Sequence, residues 1–186
     1  MKTDISAVCT DLQKVADDTR AAFGSLSVAQ LNWKPSTKSW SVAQCLEHVI
    51  NTHSLYFPIF DRLARGEYKF NAWERYSPLT GLFGKFLIRV LDPASTWKMK
   101  TTGKAHPSAS EIGADIVDRY VEHQLQMIEQ LKRFPPDFHS RNAVIQSPLL
   151  KLVTYTVEDY TTILIVHSQR HFLQAKRVTE SEGFPK

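Results

Sequence analysis

The chain has 186 residues, of which 42% are hydrophobic and 23% charged, with a formal net charge of +4. That length suits one complete hydrophobic core, so a single domain over 1–186 is expected, and the composition excludes disordered, fibrous and low-complexity classes. The charge is modest, and its one visible basic cluster, Lys98, Lys100 and Lys104, sits among Thr and Gly; it reads as a solvated loop and not as a nucleic-acid face, which needs a longer basic surface.

The first residues lack the charged-then-apolar pattern of a signal peptide, and the longest strongly apolar run, 163–166, is far too short to cross a bilayer. No membrane association and a cytoplasmic location are expected. Cys9 and Cys45 are the only cysteines, too few for a disulfide framework, and they fit reduced, packed thiols.

Four long segments carry helical periodicity. The first, about 3–23, places Ile5, Val8, Leu12, Val15 and Phe23 on one side and leads to a connection through Leu31, Trp33 and Pro35. Ser41 and Gln44 form a capping box that opens the second, with Trp40 just outside it. This helix extends toward Leu63 or Arg65, with Pro58 expected to kink it or end it early. A long crossing over 66–107 follows, holding an accessory helix at 82–91 closed by Asp92 and Pro93. Crossings of this length carry lids or merely cover one end of a bundle, and Phe70, Trp73 and Trp97 are candidates for the wall of an apolar pocket beneath it.

Ser108 and Glu111 read as a second capping box, opening a third helix that ends near Phe134, before Pro135 and Pro136. Residues 137–147 read as a loop, 148–154 as a short helical turn, and the last helix as spanning about 156–179. The chain contains no Gly-rich phosphate loop, paired CxxC or GxSxG elbow, which removes several large enzyme classes. The architecture expected is an all-α four-helix bundle with a long crossing between its second and third helices.

The histidines carry the chemistry. On the last helix Tyr160, Ile163, Leu164, Ala175 and Val178 define an inward stripe with His167 and His171 at its centre. Two buried imidazoles need partners, and one divalent ion satisfies both while their other nitrogens donate outward. The i, i+4 spacing stacks the rings a turn apart on one face, as chelation requires; core histidines bonded to buried polar groups are the structural alternative. A third ligand must come from another helix, and the second helix offers His48 and His53. His53 lies on its main apolar face with Val42, Leu46, Val49, Ile50, Phe57 and Phe60, whereas His48 shares a secondary stripe with Thr52, Leu55 and Ile59. Periodicity alone favours His53. On the third helix Gln124 is central and His123 nearer the edge, so Gln124 is the candidate polar neighbour of the site, while His106 and His139 flank Pro-containing loops and read as solvated.

The run Trp40-Ser41-Val42-Ala43-Gln44-Cys45-Leu46-Glu47-His48, preceded by Leu31-Asn32-Trp33-Lys34-Pro35, resembles the tryptophan-serine helix start and following histidine of the DinB-like (DinB/YfiT) superfamily. His167-Ser168-Gln169-Arg170-His171, leading into Phe172-Leu173-Gln174-Ala175, resembles that family's C-terminal HxxxH helix. The resemblance implies a four-helix bundle with a metal site made by His48, His167 and His171, which displaces His53 to a core or supporting position. Thr52 and Gln124 remain candidates for the surroundings of that site.

Three neutral imidazoles leave a coordination position open, as in catalytic rather than closed structural sites, and zinc or nickel suits them. The resemblance implies a metal-dependent transferase using a low-molecular-weight thiol, or a hydrolase, acting on a small molecule, and it favours a homodimer. Glu47 and Asp159, the nearest acids in sequence, each lie well round the helix from their neighbouring histidine, and Cys45 offers a thiol one turn before His48. The alternative from another class is a non-catalytic bundle in which a metal or a histidine cluster stabilises the fold or binds a partner.

Overall fold

A computed structural model describes residues 5–97, 99, 101, 103–135 and 138–186. The expected helix start at Thr3, the basic Lys98 and Lys100, the helix stop at Pro136 and the loop start at Asp137 lie outside the described residues.

Helix α1 (Ile5–Phe23) buries Val8, Leu12, Val15 and Phe23, as its periodicity requires. The connection after it contains a short helix, α2 (Val28–Asn32), opened by a Ser27–Gln30 capping box. The expected Ser41–Gln44 box opens α3 (Val42–Ser54), which breaks at Leu55 and Tyr56 before α4 (Phe57–Ala64) restarts with Pro58 in its first turn. Pro58 has no N–H for the Ser54 carbonyl and its ring would collide with it, whereas in a first turn neither defect matters.

The crossing is largely structured, with α5 (Ala72–Tyr76), α6 (Thr80–Leu91) and a 3-10 turn at Gly103–Ala105. The third long helix, α7 (Ile116–Lys132), does not start at Ser108 as the capping pattern suggested. Tertiary bonds hold 108–112 out of helical conformation. The Ser108 N–H donates to Glu47 Oε2 at 2.5 Å and its carbonyl accepts from Gln44 Nε2 at 2.7 Å. Asn32 accepts from the Ile112 N–H at 2.9 Å and donates to its carbonyl at 2.8 Å.

The helical turn expected over 148–154 is instead part of a hairpin, in which β1 (Val144–Gln146) pairs antiparallel with β2 (Thr154–Thr156), Ile145 opposite Tyr155. The β-branched Val144, Ile145, Val153 and Thr154 suit a strand better than a helix. Leu152 takes a positive φ of 69° to turn the chain. Thr156 then caps α8 (Val157–Thr179), accepting the Asp159 N–H at 3.0 Å.

Helix α1 packs on α7 and α8, α3 on the same two helices, and α6 on α8 and β2. Gly84 permits the α6–α8 approach, because a Cβ there would overlap the Asp159 carboxylate. The core consists of two apolar clusters. One gathers Leu12, Phe60, Met127, Leu131, Ile145, Tyr155, Tyr160 and Leu164; the other Val15, Phe23, Val42, Leu46, Val49, Ile116, Tyr120, Ala175 and Val178. Between them on α3, α7 and α8 lie His48, His53, His123, Gln124, His167, Ser168 and His171, all buried. A polar layer therefore cuts the bundle.

Candidate metal centre

Each histidine of this layer is oriented by a named partner. His48 Nδ1 lies 2.6 Å from the Ala105 carbonyl; a carbonyl only accepts, so Nδ1 carries the proton and Nε2 presents a lone pair. The 3-10 turn at the end of the crossing thus sets the tautomer of His48. His48 Nε2 faces His167 Nε2 at 3.3 Å, and His167 Nδ1 lies 2.9 Å from His53 Nε2. The His171 ring sits against His48 and His167, with ring centroids 4.6 Å from each. Trp40 stacks on His171 at 26° and also touches His48, which is what the Trp-Ser helix start contributes: Ser41 caps α3 and Trp40 walls the imidazoles.

One ring nitrogen from each of His48, His167 and His171 lies within 4.8 Å of the other two. Two imidazoles about a tetrahedral ion at the usual zinc–nitrogen distance are separated by about 3.3 Å, the spacing of His48 Nε2 and His167 Nε2. With the His48 tautomer fixed, two lone pairs would face each other across that gap unless a proton or a cation lies between them. His171 Nδ1 is buried and has no hydrogen-bond partner among the described residues. Three neutral nitrogen donors with these spacings fit a divalent ion such as zinc or nickel.

Burial lowers the pKa of all three rings. The effect is strongest for His167, where His171, His53 and His48 add to it; His171 is held at about 3, with His48 and Arg170 reinforcing burial. For His48 the Ala105 bond partly offsets burial. Imidazoles kept neutral at pH 7 are in the state that ligates metals.

The three rings line a cavity of about 660 Å3. Its wall includes Trp40, Thr52, His53, Leu87 and Trp97 as well as Tyr56, Tyr155 and Tyr160 deeper in, and no Asp or Glu among the described residues. Glu47 is bonded to Ser108 and Asp159 to Thr156, away from the cavity. Of the aromatics read from the crossing only Trp97 lines it. Phe70 packs with Tyr68, and the Trp73 indole N–H donates to the Leu152 carbonyl at 3.0 Å.

Thr52 and His53 line the cavity, whereas Gln124 does not; its amide reaches Ser168 Oγ at 3.5 Å behind the histidines. His123, expected at an edge, is buried against Phe57 with a bond to Ser54 at 3.1 Å, and burial lowers its pKa to about 4. His106 and His139 are exposed. Cys45 is fully buried in the apolar core, which pushes its thiol pKa up, and it is absent from the cavity wall.

Sequence reasoning missed Arg170, one residue before His171. Its guanidinium donates through Nη1 to the carbonyls of Val90 (3.3 Å), Asp92 (2.9 Å) and Ser95 (3.0 Å), and through Nη2 to Trp97 (2.6 Å). A cation at the C-terminus of α6 satisfies carbonyls the helix leaves open, and it pins the crossing over the histidines. Nothing in the spacing of a lone Arg announces such a role.

The family model of the DinB superfamily matches residues 11–175. Among solved structures, YfiT from Bacillus subtilis, a probable metal-dependent hydrolase with an unusual four-helix bundle topology, superposes with a TM-score of 0.61. The match covers 100% of this chain and 91% of that one at 14% identity, a likeness of fold. No curated protein sequence matches significantly.

Proposed function

The chain belongs to the DinB superfamily, and from that premise we propose that it is a divalent-metal enzyme acting on a small molecule held in the cavity beside His48, His167 and His171. The observation that carries the reading is the convergence of three buried, neutral imidazole nitrogens within 4.8 Å on the wall of a 660 Å3 cavity. A histidine cluster that only filled the core would have no reason to open onto space of substrate size.

A bound divalent ion supplies Lewis-acid chemistry at such a site, lowering the pKa of a nucleophile and polarising an electrophilic carbonyl. The residues of the chain do the rest. His48 is held in the ligating tautomer by the Ala105 carbonyl. With His167 ligating through Nε2, its Nδ1–H would donate to His53 Nε2, 2.9 Å away. Arg170 holds the segment from Val90 to Trp97 over the rings and limits entry of water. Hydrolysis, the chemistry attributed to YfiT, is the first reading.

A second reading, transfer to a low-molecular-weight thiol, draws support from the missing carboxylate. A thiol ionises near pKa 8.5 and needs little help from a base, whereas water usually needs one. His53, the remaining imidazole of the cavity wall among the described residues, gives its Nε2 lone pair to His167 when His167 ligates and so offers no base for water.

The test is metal content per chain in untagged protein, together with turnover on acyl ester and thiol-transfer panels. Near-stoichiometric zinc or nickel that disappears in His48→Ala and His171→Ala, along with any turnover, supports the proposal. Wild-type protein that neither holds nor takes up metal rejects it. Bound metal that raises stability with no turnover on any panel favours the non-catalytic bundle.

A further inference from the structure

The cavity continues past the histidines. Helices α3 and α8 run antiparallel here: His48 faces His171, His53 meets His167, and the Tyr56 ring stacks on Tyr160 with centroids 3.8 Å apart. Along this seam Thr52 lies one turn beyond His48 and Tyr160 two turns beyond His167, roughly 6 and 10 Å along the helix axes. Both line the same cavity as the histidines.

The polar groups of this stretch divide into two sets. Tyr56 and Tyr155 bond through their hydroxyls, and Ser147 interacts with both. Thr52 Oγ1 and Tyr160 Oη, in contrast, are buried with no hydrogen-bond partner among the described residues. A helical Thr ordinarily bonds back to the carbonyl four residues earlier, and a buried Tyr hydroxyl nearly always finds an acceptor. Neither does so here, and the Tyr160 residue is only 2% exposed. Two unpaired hydroxyls along one cavity are costly in the free protein unless something else uses them.

What they would hold follows from their neighbours. Of the described residues that line the cavity, Thr52, His53, Tyr56, Tyr155, Tyr160 and Ile163 belong to this stretch and none is charged, whereas Arg170 and Arg177 lie on α8 beside and beyond His171, toward the other end. A carboxylate or ammonium would lie desolvated and unpaired there, so the complementary group is neutral. Hydroxyl donors match the lone pairs of a carbonyl oxygen, and the stacked tyrosine rings suit an apolar stem.

We infer that the cavity beyond the three histidines is a subsite for a neutral carbonyl of the substrate, of amide, ester or ketone type, held by Tyr160 Oη and Thr52 Oγ1 about 5–10 Å from the reacting group. This rests on the metal-enzyme reading, since the three histidines fix where the reacting group sits. The subsite selects substrates that carry a second acceptor at that distance.

The probes are hydroxamic acids, which chelate the metal: acetohydroxamic acid, a short-chain hydroxamate ending in a methyl ketone, and its hydrocarbon isostere. Their affinities for the zinc-loaded protein are measured by calorimetry for wild type, Tyr160→Phe and Thr52→Val. The expected result is that the ketone-to-hydrocarbon affinity ratio falls about tenfold in Tyr160→Phe and several-fold in Thr52→Val, as loss of a hydrogen bond predicts. Acetohydroxamic acid, too short to reach, binds all three proteins alike. Because the Tyr160 hydroxyl has no internal partner, Tyr160→Phe leaves Tm unchanged or raises it; a lower Tm would reveal such a partner and overturn its assignment. An unchanged ratio in both variants, with acetohydroxamic acid still bound, overturns the subsite and leaves the metal reading intact. Failure of every probe to bind any form overturns both.

Discussion

Replacing His53 by Phe separates the two histidines of α3 by role. His167 can ligate through Nε2 only if Nδ1 carries the proton, and that N–H points at His53 Nε2 2.9 Å away. In His53→Phe the donor stays buried, since His167 is 5% exposed, and has nothing to bond. Leaving such a group unsatisfied costs about 1–3 kcal/mol, which corresponds to roughly 5- to 150-fold in affinity and agrees with the 10- to 100-fold typical of lost partners behind a metal ligand. The assay is competition for zinc against a chromophoric chelator, with circular dichroism to confirm folding. The expected order is wild type, then His53→Phe weaker by about 10- to 100-fold with unchanged stoichiometry, then His48→Ala with stoichiometric binding lost. Equal affinity of wild type and His53→Phe would refute the claim that His53 orients His167. Binding abolished in His53→Phe yet retained in His48→Ala would mean that His53 is the ligand after all.

Metal removal should destabilise the fold: at zinc concentrations about 100 times Kd, binding to the native state adds about 2.7 kcal/mol, or some 5–10 °C in Tm for a chain of this size, and calorimetry that shows the same Tm with and without chelator would contradict it. Arg170→Met should free the crossing, with faster amide exchange over 92–97 and a stability loss of about 2 kcal/mol, below the sum of its charge-assisted bonds because the side chain is part exposed; unchanged exchange there would show that the crossing is held by other contacts. Acid should destabilise the metal-free protein early. His123 titrates at about 4 when folded against about 6.5 when unfolded, so the unfolded chain binds more protons throughout that window. Stability is therefore retained above about pH 6.5 and falls as pH drops toward 4, by up to about 3 kcal/mol from this ring; a urea titration of His123→Leu should show a shallower fall.

The helices were legible because their signals are local. Ser41 with Gln44, Pro58 and the inward stripe of α8 each act within one or two turns, and each appears where the sequence put it. Ser108 with Glu111 had the same local form and failed, because Asn32, Gln44 and Glu47 bind that segment from elsewhere in the chain. The hairpin was missed for a related reason: strands of three residues carry almost no periodicity, and their partner is set by tertiary pairing. At the site, periodicity found His167 and His171 but preferred His53 to His48. Both face inward and meet opposite nitrogens of His167, and the Trp40-Ser41 run was needed to rank them. The carbonyl of Ala105 and the guanidinium of Arg170 had no sequence signal, since what matters in each is where the crossing brings it.

The polar layer itself argues for function over packing. Five histidines, a glutamine and a serine occupy one level of the bundle between two apolar clusters, where Leu or Ile on α3, α7 and α8 would join the clusters into one core. Desolvating these groups costs more than such a replacement, and the layer is incompletely satisfied even internally: His53 Nδ1, His123 Nδ1, Gln124 Oε1 and His171 Nδ1 have no partners among the described residues. A network built for stability would be closed, because unpaired members cancel its benefit. An open one, with three imidazoles lining a cavity on one side and Gln124 and Ser168 behind them on the other, fits a cation at His48, His167 and His171, and of the four unpaired atoms His171 Nδ1 belongs to that triad. If that is so, filling the layer with apolar residues should raise the stability of the metal-free protein while abolishing metal uptake. A triple variant, His48→Leu, His167→Leu and His171→Leu, should melt higher than the chelator-treated wild type; melting lower would show that the histidines hold the fold together themselves and that the layer is structural.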